Sequence, residues 1–435
     1  LQRLSSTSSL LSGTIVEPML GSIVQKGKFA LCAFPELTQL NNVDLPTLGS
    51  PTIPHLSAIC LYLFNVKYSL FKSGRKFTLT FSFSYPYFRF LAQVFPFFNI
   101  YFTDTFHLWK VMKRAIIVVS AIILCNVLQA QERDSLLTVF WNLENFFDYT
   151  DQGTGESDAE FSSMGSRHWS RKKFFRKCDN IAKTLLWMEG RYGRMPDVVG
   201  FAEIENRGVL YRLLNNTLLR KYDYEIVHKD SGDRRGIDVA LIYRRSVFTC
   251  VSSTWKTPEH EGKKMDTRDI LHARLRGKDG HEQDFIVNHH PSKYGGSKES
   301  EDRRNSAMAS LLQMCDSLAE TSDVPVIAMG DFNDSPVGPA FALIEGTLAN
   351  KGMDLHERKE GSIRYEGKWD LIDMFLVSPA IDGHTAMEVC KVPFLMTWER
   401  KHPGEKPLRT YSGPRYIGGV SDHCPVILWY FKPNP

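Results

Sequence analysis

The run Val326-Ile327-Ala328-Met329-Gly330-Asp331-Phe332-Asn333-Asp334 constrains this chain more than any other segment. An apolar stretch breaks off in Asp and Asn, which a sheet interior does not tolerate unpaired. The same break recurs at Phe140-Trp141-Asn142-Leu143-Glu144, at Val199-Gly200-Phe201-Ala202-Glu203 and at Phe285-Ile286-Val287-Asn288-His289. Ser421-Asp422-His423 opens the last apolar run instead of closing one. Carboxylates, amides and imidazoles therefore gather at the ends of several buried strands. In α/β sheet proteins, that edge is where sites are built.

Strand-like and helix-like stretches alternate from residue 131 onward. Strands are expected at 136–141, 197–202, 237–243, 271–275, 284–288, 324–329, 371–377 and 425–431. A helix is expected at 170–188, with Phe174, Phe175, Cys178, Ile181, Leu185 and Leu186 on one face. Arg171, Lys172, Arg176 and Lys177 read as its opposite, solvated face. A second helix fits 209–219. A third begins with Ser300 as cap and Glu301 and Asp302 in the first turn, and runs to about Leu318. Strands outnumber helices and several connections suit hairpins, so the sheet should be mixed. Two such sheets packed face to face, with helices outside, would bury strands that are apolar on both faces. Polar connections at 149–168, 256–268 and 291–300 read as surface loops beside the site.

The first third reads differently. Residues 1–111 carry Ser- and Pro-rich stretches and an aromatic run, Phe77 to Phe106, without a steady period. Met112-Lys113-Arg114 then precedes the uncharged Ala115 to Leu128 and Gln129-Ala130-Gln131, the layout of a secretory signal. Up to Lys110 there are nine Lys or Arg and four Asp or Glu; subtracting these from 53 and 49 leaves 44 basic and 45 acidic residues. The net +4 thus belongs to the N-terminal third, and the remainder gives no argument for a surface that coats nucleic acid. The expected organisation is upstream read-through or disordered sequence at 1–111, a signal peptide at 112–130 and a catalytic domain at 131–435. The mature chain would be secreted or periplasmic after cleavage near Ala130. The other reading joins a real N-terminal region to a membrane helix at 115–128, shorter than the ~20 residues of a comfortable span. Cys178, Cys250, Cys315, Cys390 and Cys424 follow the signal; no C-x-x-C spacing occurs, which argues against zinc, and an odd count leaves a free thiol.

Several residues then become candidates for chemistry. A hard divalent cation wants oxygen ligands, which Glu203, Asn142 and Asp422 offer from strand ends. Each alone has a plainer explanation: Asn142 a turn residue, Glu203 a solvated loop, Asp422 a cap. Asp331 and Asn333 lie two apart and would share a face in an extended stretch. Asp331 would then orient or deprotonate a water while Asn333 stabilises phosphoryl oxygens, the alternative being a type I turn over Gly330 to Pro336. Of His289 and His290, one must face away. Asp373 sits within an apolar strand and needs a partner such as His423. Arg268 and Lys293 are candidates for phosphate contact or plain surface charges.

Taken in this order, Trp141-Asn142-Leu143-Glu144, Ala202-Glu203, Asn288-His289, Gly330-Asp331-Phe332-Asn333, Ile372-Asp373 and Ser421-Asp422-His423 resemble the endonuclease/exonuclease/phosphatase superfamily, deoxyribonuclease I among its members. The likeness covers about Thr138 to Tyr430. It implies a four-layer α/β/β/α sandwich of two packed mixed β-sheets with outer helices, and Mg²⁺-dependent cleavage of a P–O bond, Mn²⁺ or Ca²⁺ being alternatives. By the same resemblance, the metal ligands would be Asn142, Glu144, Glu203 and Asp422. The catalytic set would be His289, Asp331, Asn333, Asp373 and His423, with Arg268, Asn333 and His289 holding substrate. Asn142 to Phe147 and Tyr294-Gly295-Gly296 look most like secreted bacterial nuclease-like members. The expected substrate is nucleic acid or another phosphodiester, with inositol phosphates or sphingomyelin-like head groups as the alternative. Neither a stable protein partner nor a membrane span in the mature chain is implied, and a monomer is expected.

Overall fold

The computed structural model describes residues 67–73, 76–82, 135–153, 155–293 and 297–432. The chain divides into two units, 1–116 and 117–435. In the first, the described residues form one antiparallel pair, Lys67–Ser73 with Lys76–Ser82. The expected start at Met112, signal peptide and cleavage point lie outside the described residues.

In the second unit, a period of two decides the architecture. Strand β1 (Ser135–Phe146) sends Leu137, Val139, Trp141 and Leu143 to one face, Leu136 and Phe140 to the other, and both faces are buried. A strand buried on both sides must lie inside a stack of layers. The other strands of the two large sheets, in chain order, are β2 (Val198–Ile204), β3 (Tyr224–Val227), β4 (Asp238–Arg244), β5 (Phe248–Lys256) and β6 (Ile270–Gly277). Then come β7 (Glu282–His289), β8 (Val326–Asp331), β9 (Ala349–Asn350), β10 (Asp373–Val377), β11 (Thr385–Val389) and β12 (Val426–Phe431). They form two six-stranded sheets, ordered β11-β12-β1-β2-β4-β3 and β9-β10-β8-β7-β6-β5. Each sheet is mixed: β1 with β2 and β7 with β8 are parallel, and the remaining neighbours antiparallel.

Three apolar interfaces make four layers. Helices α1 (Arg171–Tyr192) and α2 (Arg207–Asn216) cover the first sheet through Phe174, Ile181, Leu185, Leu210 and Leu213. The sheets meet through Phe140, Val198, Phe285, Met329 and Phe375. Helix α3 (Ser297–Ala319) covers the second sheet through Met308 and Leu311. The expected α/β/β/α sandwich is therefore the observed one.

Local chemistry explains the boundaries. Ser170 caps α1 by accepting the Lys173 N–H, and Gly193 ends it at φ 78°. Asn206 caps α2 through Gly208 and Val209. Ser300 is not a cap: α3 starts at Ser297 and places it inside the first turn. The connection 149–168 holds a short helix, Glu156–Glu160, and the buried Phe161, so it is less of a free loop than its polarity implied. Strands β3, β5, β9 and β11 escaped the sequence reading because they are the four edge strands of the sheets, short or incompletely buried. All five described cysteines are free thiols.

Gly330 shows how packing feeds the site. It pairs with Asn288 across the parallel β7–β8 ladder, and a Cβ there would collide with the Asn288 carbonyl and amide. Asn288 in turn donates Nδ2 to the Met329 carbonyl at 2.7 Å. Gly330→Ala should destabilise the protein by about 1–3 kcal/mol through overpacking, measured by urea unfolding. Wild-type stability in that variant would mean the ladder relaxes freely.

Candidate active site and metal centre

The parity that buries the apolar residues also gathers the polar ones. Asn142 follows Phe140, His289 follows Val287, Asp331 follows Met329 and Asp373 precedes Phe375, each on the face between the sheets. His289 pairs with Asp331 and Asp331 with Asp373 across the ladders, so three strand ends meet in one row. His423 reaches the row from the loop before β12. Its carbonyl accepts the Trp141 indole N–H at 3.0 Å, and its N–H donates to Ser421 Oγ at 3.0 Å.

Asp331 is the hub. It is 2% exposed. Its Oδ1 accepts the Asn333 N–H at 2.9 Å and its Oδ2 accepts Asn142 Nδ2 at 3.0 Å. His289 Nε2 stands 3.6 Å and His423 Nε2 3.9 Å from the same Oδ2. Burial and the neighbouring Asp373 push the Asp331 carboxyl up to about 7, against the pull of His423, Asn142 and Asn333. His423 goes the other way: burial would lower it, but Asp373, with Nδ1 to Oδ2 at 2.7 Å, and Asp331 and Asp422 hold it well above its ordinary value. His289 is kept neutral, lowered by burial and by the charges of Arg268 and Arg235.

His290 is the histidine that faces away. Its ring sits edge-on to Phe332 at 5.0 Å, and its carbonyl accepts both Arg268 Nη2 at 2.9 Å and Asn333 Nδ2 at 3.0 Å. Arg268 also binds Asp233 at 3.2 Å and is buried, so its guanidinium braces the strand end from behind. Asn333 does not share an extended face with Asp331. The chain turns there at φ 50°, and the amide is part of that turn.

A second group of acids adjoins the hub. Glu144 Oε2 accepts the Thr410 N–H at 3.2 Å, and its Oε1 lies 2.8 Å from Arg409. Asp422 meets the same guanidinium at 3.2 Å. Burial and Asp422 push Glu144 up to about 7, although Arg409 and Lys177 pull it down. Glu203, at φ 61°, accepts the Asn145 N–H at 2.7 Å and lies 3.5 Å from Arg235. Asn142 joins the groups, its Oδ1 taking the Glu144 N–H at 2.9 Å. Glu144, Asn145, Glu203 and Asn333 all hold positive φ, backbone strain collected at one place.

Lys177 corrects the reading of α1. It is buried, not solvated, with Nζ donating to the Glu144 carbonyl at 2.6 Å and to Thr410 Oγ1 at 3.0 Å. Burial lowers it to about 8, offset by Glu144, Glu203 and Asp422. Arg409, Arg235 and Asn145 were also missed. Only the position of Lys177 among Phe174, Cys178 and Ile181 could have flagged it.

The donors here fit a hard divalent cation. They are all oxygen, from Glu144, Glu203, Asp422 and Asn142, and Glu144 is raised by burial and by the neighbouring Asp422, whose charge a cation would offset. Among the described residues, the acid and imidazole groups whose ligand atoms lie close enough to share an ion as they stand are Asp331, Asp373 and His423, and His228, Asp230 and Asp238.

Among curated proteins no sequence match is found. Similar solved structures include the human Nocturnin catalytic domain with bound sulfate anion, at 16% identity, covering 69% of this chain and 95% of that one, TM-score 0.45. A mannosyl-6-phosphatase of Bacteroides thetaiotaomicron has 16% identity, 67% and 98% coverage and TM-score 0.44. TDP2 of D. rerio complexed with single strand DNA product has 14% identity, 68% and 98% coverage and TM-score 0.41. The family model described as Endonuclease/Exonuclease/phosphatase family matches residues 137–432, a range that spans nearly all of the sandwich and contains the buried row. The chain therefore belongs to the endonuclease/exonuclease/phosphatase family and is a metal-dependent phosphoric ester hydrolase.

Proposed function

We propose that the mature chain is a secreted, monomeric, Mg²⁺-dependent phosphodiesterase that cuts nucleic acid as an endonuclease by in-line attack of water. The observation that supports this reading most is the Asp331 hub, a buried carboxylate between one imidazole kept neutral and one kept charged. Glu203, Glu144, Asp422 and Asn142 would hold the cation. When bound, it offsets the charge developing on the transferring phosphoryl group.

The chain's own groups do the rest. Asp331, fixed by the Asn142 and Asn333 donors and raised to about 7, suits accepting a proton from the attacking water near neutral pH. His423, charged through Asp373, presents an N–H to a phosphoryl oxygen, and His289 supplies a second, neutral donor. Asn333 and Arg268 position the loop after β8 through the His290 carbonyl.

The test is a substrate panel for purified 131–435 with Mg²⁺: plasmid DNA, RNA, sphingomyelin and inositol phosphates. Nicking of plasmid is expected; products only from sphingomyelin or inositol phosphates would replace the nuclease reading with the lipid or inositol one. Asp331→Ala and His423→Ala should each lower kcat by ~10²–10⁴. Unchanged turnover in both would end the assigned roles.

The hub also sets a pH dependence of stability. Folding raises the Asp331 pKa from near 4 to about 7, so the folded state favours its protonated form. The resulting penalty is absent below about pH 4, where both states are protonated, and grows as pH rises to about 7. In chelator, Asp331→Asn should melt above wild type at pH 8, with the gap closing towards pH 4. A variant that melts lower at every pH would show that the hydrogen bonds to Asn142 and Asn333 outweigh the buried charge.

A further inference from the structure

Arg409 has no part in the hydrolysis outlined above, yet the acids converge on it. Its Nε and Nη2 both lie 2.8 Å from Glu144 Oε1, and Nη2 lies 3.2 Å from Asp422 Oδ2. Glu203 adds a more distant attraction. These are oxygens assigned above to a divalent cation. A guanidinium that spends its donors on them and a metal that draws on the same lone pairs are competitors.

Two cations around Glu144 are held very differently. Lys177 is buried and fixed by the Glu144 carbonyl and Thr410 Oγ1. The Arg409 side chain is 49% exposed, and its charged contacts are the two carboxylates themselves. The backbone beneath it is anchored, since Thr410 donates its N–H to Glu144 Oε2. The guanidinium can therefore move while its Cα stays.

A place for it to move to lies alongside. A cavity of about 260 Å³ is lined by Glu144, Asn145, Phe161, Arg167, Arg409 and Tyr411. Arg167 is a built part of that wall, bound to Glu160 at 2.7 Å and to the Gly413 carbonyl at 2.7 Å, with its guanidinium over the Phe161 and Tyr411 rings. The cavity adjoins the metal-ligand candidates and has two guanidinium groups, Arg167 and Arg409, in its wall beside Glu144, so an anionic group of a substrate bound at the acids would meet them there.

We propose that Arg409 is an exchangeable counter-ion: it neutralises Glu144 and Asp422 until a divalent cation takes their oxygens, then turns into the adjoining cavity to bind phosphoryl oxygens of the substrate. This rests on the metal-ligand set given under the proposed function. It makes metal and arginine antagonists, and arginine and substrate allies. A guanidinium with a merely structural role would show neither relation.

The experiment is a Mn²⁺ titration of the full chain without substrate, read by electron paramagnetic resonance, on wild type, Arg409→Ala, Arg409→Gln and Glu203→Gln. Arg409→Ala and Arg409→Gln should bind Mn²⁺ about tenfold tighter than wild type. Both should also raise KM for bis(p-nitrophenyl) phosphate about tenfold with a smaller change in kcat. Equal or weaker Mn²⁺ binding in whichever of the two arginine variants keeps the wild-type melting temperature would overturn the counter-ion role. No saturable Mn²⁺ site in wild type, or no weakening in Glu203→Gln, would instead overturn the metal-ligand set beneath it.

Discussion

Keeping several carboxylates dry and close together is the constraint around which this structure is arranged. Asp331, Asp373 and Glu144 are each at most 8% exposed, and burying one unpaired ionised carboxylate is costly. The cost is met by cations brought from far along the chain. His423 lies 2.7 Å from Asp373, and Lys177 and Arg409 surround Glu144. The compensation is incomplete at two positions, where Asp331 and Glu144 are both pushed up to about 7. Incomplete compensation is what leaves a carboxylate able to take a proton, or a metal, near neutral pH.

The sandwich makes this possible because period-two alternation does two jobs. Along each strand it sends apolar side chains into the space between the sheets. At the strand ends it sends Asn142, His289, Asp331 and Asp373 to the same side. A shift of one residue in any register would turn the polar residue outward along with every apolar one behind it. The position of the site is thus secured by the same burial that holds the sheets together. Close approach at Gly200, where a Cβ would meet Met329 of the facing sheet and Phe140, keeps the sheets near enough for Asn142 to reach Asp331.

Much of this could be read in the sequence, for a stated reason. An abrupt Asp or Asn at the end of a buried strand is a local signal, so the row of Asn142, His289, Asp331 and Asp373 was visible without a structure, as was the partner Asp373 needs in His423. What escaped was set by tertiary distance or by turn geometry. Arg409 lies 265 residues from Glu144, in a polar loop with no pattern of its own. The charge of Lys177 points to the solvated face, although its place among Phe174, Cys178 and Ile181 puts it on the buried one. Strand parity puts Asn333 beside Asp331, whereas the strand ends at Asp331 and the chain turns. Arg268 reads in the sequence as a surface charge or a phosphate contact and is instead buried behind the His290 carbonyl.

The two histidines beside Asp331 show how environment separates roles that sequence leaves equal. Both rings are buried, and burial alone disfavours the imidazolium in each. His289 then meets Arg268 and Arg235, cations that disfavour its charge further. His423 meets Asp373, Asp331 and Asp422, and their combined attraction exceeds the burial cost. One carboxylate is thereby flanked by a neutral donor and a charged one, 3.6 and 3.9 Å away. A phosphoryl group arriving there would find unlike donors on its two sides, an asymmetry suited to a reaction in which one oxygen attacks while another departs.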